Sequence, residues 1–269
     1  MNKIVGFIGG GNMAKAIIGG VIQSGLIGKE NIIASAKSQK TVNFLEDTYS
    51  IQATTNNSAV ARVADILFLA VKPNMFATVI PEIKDCGKKG QVIVSIAAGQ
   101  TIDAIQSAYG REIKLVRAMP NTPALVGEAM SALCLNQNVS SEEADEVLSI
   151  FESFGKAEIV PESMMDAVIG VSGSSPAYVY MFIEAMADAA VADGMPREKA
   201  YKFAAQSVLG SAKMVLETGK HPGELKDAVC SPGGTTIEAV AKLEETGFRQ
   251  SVISSQRACV EKSKEMSKK

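Results

Sequence analysis

The stretch that most restricts this chain opens it: a β-rich run over residues 4–8 passes without a spacer into Gly9, Gly10 and Gly11, and a helical pattern follows from about Asn12. A strand that turns into a helix through glycines needs a sharp backbone bend, and leaves the backbone open to close approach. Residues 9–14 fit G-x-G-x-x-A. In that pattern the first glycine makes the tight turn, the second lets the backbone approach a pyrophosphate, and the last small residue lets the helix pack closely. The helix N-terminus then faces the phosphates. Gly9, Gly10, Gly11, Asn12 and Met13 are therefore candidate dinucleotide-binding residues.

Further short β-rich runs at 32–35, 66–71, 92–96, 115–118 and 132–135 alternate with helical stretches up to about Val160. Such alternation builds a mostly parallel sheet covered on both faces. The run Ile66, Leu67, Phe68, Leu69, Ala70, Val71 has no polar alternation, as expected of a central strand buried on both sides. Beyond Pro161 strand-like runs vanish, and long helical stretches take over at 177–192, 197–217 and 248–264. The expected fold is α/β: an N-terminal Rossmann-like doubly wound sheet over 1–160, then an all-helical domain over 161–269. Residues 177–193 carry only Glu184, Asp188 and Asp193 as charges, so this helix needs burial on several sides. About 110 residues can hardly surround it. A homodimer is expected, with Ala185, Ala187, Ala189, Ala190 and Ala192 allowing close helix approach.

The net charge is −2, and basic residues are dispersed except for Lys262, Lys264, Lys268 and Lys269, which read as a solvated helix end. Nucleic acid is not an expected partner. Cys86, Cys134, Cys230 and Cys259 form no C-x-x-C pair, which indicates neither a disulfide framework nor a zinc or other metal site. The opening apolar run is too short for a secretory signal, and none elsewhere approaches the ~20 residues that span a bilayer. A cytoplasmic protein without membrane contact is expected.

NAD-preferring folds place an acid after the second strand, where it binds the ribose 2′-hydroxyl. Here the residues are Ala34, Ser35, Ala36, Lys37 and Ser38. Hydroxyls beside an ammonium suit a 2′-phosphate, so Ser35 and Lys37 point to NADPH, with NADH the second candidate; a solvated loop charge is the alternative for Lys37. Val71, Lys72, Pro73 and Ala98 end strands at the edge where open α/β sheets bind ligands. Lys72 either touches cofactor or merely precedes the helix that Pro73 opens. Asn57 is either an adenosine contact or an N-cap, and Asn121 either a nicotinamide contact or part of a turn set by Pro123.

Five segments together resemble the pyrroline-5-carboxylate reductase family: GFIGGGNMA at 6–14, LFLAVKP at 67–73, MPNTP at 119–123, GVSGSSPAYVY at 170–180 and HPGELKDAVCSPGGTTIEAV at 221–240. Their order covers the whole chain. Two departures are Ser175, where the family commonly has Gly, and Cys230, where Thr or Ser is usual. The first is expected to narrow a turn beside the substrate pocket. The resemblance implies NAD(P)H-dependent reduction of 1-pyrroline-5-carboxylate to L-proline, the last step of proline synthesis, in dimers gathered into a larger homo-oligomer.

A protonated cyclic imine is already electrophilic, so hydride transfer demands positioning more than a strong acid. That suits a chain whose single histidine, His221, precedes Pro222 in a helix entry and reads as structural. The turn from Ser231 to Thr236 offers hydroxyls and backbone N–H groups at the start of a helix expected from Ile237, which makes it an anion nest or a plain N-cap. By resemblance Ser231, Gly233, Gly234 and Thr235 hold the substrate carboxylate, while Thr236 bonds the ring nitrogen and is the candidate for proton handling. Cofactor loop and nest fall in different expected domains, which places the substrate between them. The rivals are a β-hydroxyacid dehydrogenase-like oxidoreductase and a non-catalytic NADPH-binding redox sensor.

Overall fold

The computed structural model describes residues 1–267, so Lys268 and Lys269 of the C-terminal lysine run lie outside it. The chain divides into two compact units, residues 1–174 joined by the segment from Cys259 onward, and Ser175–Ala258. This division differs from a boundary at 160/161 because residues beyond the last strand still pack on the sheet. Met165 is fully buried, and Ile169 nearly so, in one apolar cluster with Leu115, Met119 and Ala132.

The first unit runs β1 (Val5–Ile8), α1 (Asn12–Ser24), β2 (Ile32–Ser35), α2 (Gln39–Tyr49), β3 (Gln52–Thr54), α3 (Asn57–Val63), β4 (Ile66–Leu69) and α4 (Phe76–Ile83). It continues with β5 (Val92–Ser95), α5 (Ile102–Tyr109), β6 (Lys114–Met119), β7 (Ala129–Leu135), α6 (Ser141–Glu152), β8 (Gly155–Ile159), α7 (Met165–Val168) and a π-helical turn, Ile169–Gly173. The strand order is β3-β2-β1-β4-β5-β6-β7-β8. All pairs are parallel except β6 with β7.

Every residue of β1, β4 and β5 is buried, because helices cover both faces. On one face Phe7 stacks on Phe68 with ring centroids 4.7 Å apart, joined by Ile17 and Phe151; on the other Ile8, Leu67, Leu69 and Ile93 pack with Ile80 and Ile105. Sequence periodicity had shown six of the eight strands. The other two, β3 and β8, form the sheet edges, where polar residues replace the continuous apolar run.

The second unit contains α8 (Ser175–Ala192), α9 (Arg197–Thr218), α10 (Pro222–Val229), α11 (Thr235–Glu245) and the first half of α12 (Phe248–Ser267). Ser175 therefore starts a helix instead of narrowing a turn, since the preceding π-helical turn already sets the chain direction. Only Ala187 of α8 is buried, while Tyr180 and Met181 are 61% and 70% exposed. A helix this apolar, left bare by its own chain, is the surface expected of a subunit contact. Among the described residues no helix is long and apolar enough to cross a membrane.

Candidate active site

Strand register brings the candidate cofactor residues of the first unit to one edge. Ile8 is level with Ser35 and Leu69, Leu69 with Ser95, and Ser95 with Arg117. The loops that leave β1, β4 and β5 therefore emerge together, where the crossovers change direction between β1 and β4. Gly9–Met13, Val71–Pro73 and Ala98 all stand there, and Asn121 follows the next strand.

The three glycines of the β1–α1 turn serve different ends. Gly9 has φ +109°, and a Cβ on it would lie 2.6 Å from the Ala70 carbonyl oxygen. A Cβ on Gly10 would meet Thr41 Cγ2 at 2.8 Å, so its absence lets α2 approach. Gly11 has an ordinary φ of −74°, and a Cβ there would meet nothing within 4 Å. Among the described residues no contact calls for glycine at this position; the space it keeps clear lies at the start of α1. The helices α2, α3, α5 and α6 begin with side-chain caps from Ser38, Asn56, Thr101 and Ser140. No side chain caps α1 and no acid stands in its first turn, so its first N–H groups are available to a phosphate. These residues fit the dinucleotide read from the sequence.

At the end of β2 the structure changes two expectations. Ser35 is fully buried, and its Oγ donates to Asn57 Oδ1 at 2.7 Å, so the packed strand end holds its hydroxyl inside. Asn57 is not the N-cap of α3. The cap is Asn56, whose side chain accepts the Ala59 N–H at 3.1 Å, and Asn57 instead bridges Ser35 and Glu82. Lys37 and Lys72 are exposed and form no ion pair among the described residues, as a phosphate-seeking ammonium requires. Asn121 is buried and spends its amide internally, donating to the Ser172 carbonyl and accepting the Met130 N–H, both at 3.0 Å. The turn reading thus describes its side chain better than a nicotinamide contact.

One buried charge escaped the sequence reading. Arg117 is 3% exposed and donates through Nη1 to Glu162 Oε1 at 2.9 Å, and the same oxygen accepts the Ile102 N–H at 2.8 Å. Its Nε and Nη2 have no partner among the described residues. The signal was an arginine inside the otherwise apolar run 115–119 of β6. Opposite it in β7 sits Cys134, whose thiol is pushed up by burial and by the Glu162 charge, with Arg117 partly opposing. All four cysteines are free thiols.

In the second unit, His221 is the N-cap of α10, with Nδ1 accepting the Gly223 N–H at 3.1 Å. Cys230 is the C-cap of α10, and the chain turns through Gly233 at φ +65° into extended Gly234, the N-cap of α11. The helix begins at Thr235 and not at Ile237, because Gly234 supplies the extended residue that starts it. Thr235 and Thr236 therefore occupy its first two positions, where N–H groups have no intrahelical acceptor. No side chain caps this helix. The hydroxyls of Ser231, Thr235 and Thr236 make no hydrogen bond among the described residues. Ser231 and Thr235 are exposed and Thr236 half-buried. The Gly234 N–H expected to meet the anion instead closes the turn on the Ser231 carbonyl at 3.0 Å, so the turn offers an anion three hydroxyls and the remaining N–H groups at the helix start.

A family model described as "Pyrroline-5-carboxylate reductase dimerisation" matches residues 162–266. The pyrroline-5-carboxylate reductase of Escherichia coli (strain K12) is 56% identical over 268 residues, all of both chains. The chain belongs to the pyrroline-5-carboxylate reductase family. A second family model, "NADP oxidoreductase coenzyme F420-dependent", matches residues 4–99, which hold the glycine turn. Among solved structures, the Plasmodium falciparum pyrroline carboxylate reductase with NADP bound superposes with a TM-score of 0.91 at 36% identity, covering 99% of this chain and 98% of that one. The Coxiella burnetii pyrroline-5-carboxylate reductase gives 0.92 at 34%, with full coverage of both chains. The Rossmann-like sheet followed by a helical dimerisation region is the arrangement of this family, and the β-hydroxyacid dehydrogenase reading loses its ground.

Proposed function

We propose that this chain reduces 1-pyrroline-5-carboxylate to L-proline with NADPH, NADH serving as the second donor. The observation that carries the reading is the turn from Ser231 to Thr236: unpartnered hydroxyls and first-turn N–H groups on an uncapped helix, in a family member with an equally uncapped dinucleotide helix, α1. The nicotinamide supplies the hydride. The start of α1 and Lys37 would hold the phosphates of the dinucleotide, with Val71, Lys72, Pro73 and Ala98 lining the same edge. Ser231 and the N–H groups at Gly233 and Thr235 hold the substrate carboxylate, and Gly234 shapes the turn that presents them.

Thr236 bonds the ring nitrogen and orients its proton. The nitrogen of a cyclic iminium is protonated before reaction, so a hydroxyl suffices and no strong acid is needed. His221 is read as structural, since its Nδ1 accepts the Gly223 N–H and starts α10. The bare apolar surface of α8 serves a homodimer, and we place that dimer in a larger homo-oligomer in the cytoplasm.

The deciding assay is oxidation of NADPH with 1-pyrroline-5-carboxylate, run beside 3-hydroxy acids with NADP and a titration of NADPH without substrate. Turnover of the imine alone supports the reading. NADPH binding without turnover on any substrate would favour a redox sensor. Thr236→Ala should lower kcat/KM by roughly tenfold to ten-thousandfold, the range for lost acid or base help. Unchanged kinetics would remove Thr236 from the mechanism.

A further inference from the structure

The carboxylate that the end of β2 lacks arrives from another element. Glu82, near the end of α4, accepts from Asn57 Nδ2 at 2.7 Å, and Asn57 Oδ1 accepts from Ser35 Oγ at 2.7 Å. Ser58 ties the same region by donating through Oγ to the Glu82 carbonyl at 2.8 Å. Proton inventory sets the direction of this relay. A carboxylate only accepts, so Asn57 must turn its nitrogen toward Glu82 and its oxygen toward Ser35. An amide oxygen also only accepts, so at 2.7 Å Ser35 gives its proton to Asn57 in preference to the Phe7 carbonyl at 3.4 Å. Ser35 is fully buried, whereas Asn57 is half-buried and Glu82 exposed, so a ligand can reach Asn57 and Glu82, and Asn57 is the one of them bonded to the strand end. It stands beside the strand end where dinucleotide folds read the ribose 2′ position.

We propose that Glu82 is a positioning residue for cofactor selectivity: through Asn57 it fixes the amide that meets the adenosine ribose, and its charge favours a 2′-hydroxyl over a 2′-phosphate. Lys37, exposed at the end of the same strand, pulls the other way. Selectivity is then a balance between two opposed charges, one adjacent in sequence to β2 and one delivered by the fold. The proposal rests on the dinucleotide reading of the β1–α1 turn.

The test is titration calorimetry of the full chain with 2′,5′-ADP and with 5′-AMP, no imine present, for wild type, Glu82→Gln and Glu82→Ala. The kinetics of both cofactors run in parallel. Glutamine keeps an acceptor for Asn57 and removes only the charge. Glu82→Gln should tighten 2′,5′-ADP about three- to tenfold relative to 5′-AMP at low salt, with the gain shrinking near 0.5 M salt as charges are screened. The NADPH to NADH ratio of kcat/KM should rise by a similar factor. Glu82→Ala also unlocks the Asn57 amide, so 5′-AMP should weaken as well. Glu82 is exposed, so both variants should fold. An equal change for both probes in Glu82→Gln, or no change, overturns the proposal. Wild type that binds neither probe nor NADPH overturns the dinucleotide reading, and the proposal with it.

Discussion

Replacing Gly11 with alanine separates what the fold needs from what a ligand needs. The backbone at Gly11, φ −74° and ψ −179°, is open to any residue, and the added Cβ meets nothing within 4 Å. Glycine is a better N-cap than alanine by up to about 1 kcal/mol, but alanine restricts the unfolded chain by about 0.4–1 kcal/mol. The two nearly cancel, so the ligand-free Tm should move by less than about 2 °C. A phosphate approaching the start of α1 would meet the methyl group directly. Losing one charge-assisted hydrogen bond costs about 1.5–3 kcal/mol, so Kd for NADPH should rise roughly ten- to 150-fold. Fluorescence titration with NADPH, beside thermal melts without it, reads both quantities. Wild-type affinity in the variant would refute the role given to this turn, and so would a ligand-free Tm lower by more than about 5 °C. Gly9→Ala is the counterpart: at φ +109°, with its Cβ 2.6 Å from the Ala70 oxygen, it should cost the ligand-free protein about 2–4 kcal/mol, roughly 5–10 °C.

Two further outcomes follow from charges inside the first unit. Glu162→Ala leaves Arg117 buried without its counter-charge; such losses cost about 3–5 kcal/mol, reduced here to about 2–3 because Glu162 is 34% exposed. Arg117→Met removes the buried charge with its two unpartnered nitrogens and should cost less; urea melts giving the reverse order would refute this account of the pair. Burial pushes the Asp65 carboxyl up, but hydrogen bonds from Lys88 at 2.7 Å and the Ile4 N–H at 2.8 Å outweigh it and leave it below the usual range. A folded value below the unfolded one of about 3.9 gives stability that is present above that pH and lost as pH falls through the folded value. Asp65→Asn should therefore be less stable than wild type at pH 7, the gap closing as pH falls below about 4. A gap independent of pH would sink the assignment.

Local signals were legible wherever one segment bears the whole constraint. The glycine turn is such a segment, and so are β1, β4 and β5, which lie between helices on both faces and must be apolar throughout. Exact helix starts were less legible. Asn56 and Asn57 are equally good caps by chemistry, and only the backbone decides which one caps and which one bridges. Likewise Gly234 moves the start of α11 to Thr235, bringing Thr236 into its first turn.

The sequence by itself determined the sheet-then-helices architecture, the glycine turn after β1 and the hydroxyl-rich turn before α11, because each depends on the order of neighbouring residues. Only tertiary structure decided how charges and hydroxyls are spent. Glu82 reaches Asn57 across 25 positions and Glu162 reaches Arg117 across 45, and Ser35 loses its hydroxyl to a residue 22 positions away. Such pairings arise when separate segments return to the same sheet edge. No periodicity in the chain records them, since hydrogen-bonding partners are set by distance in space.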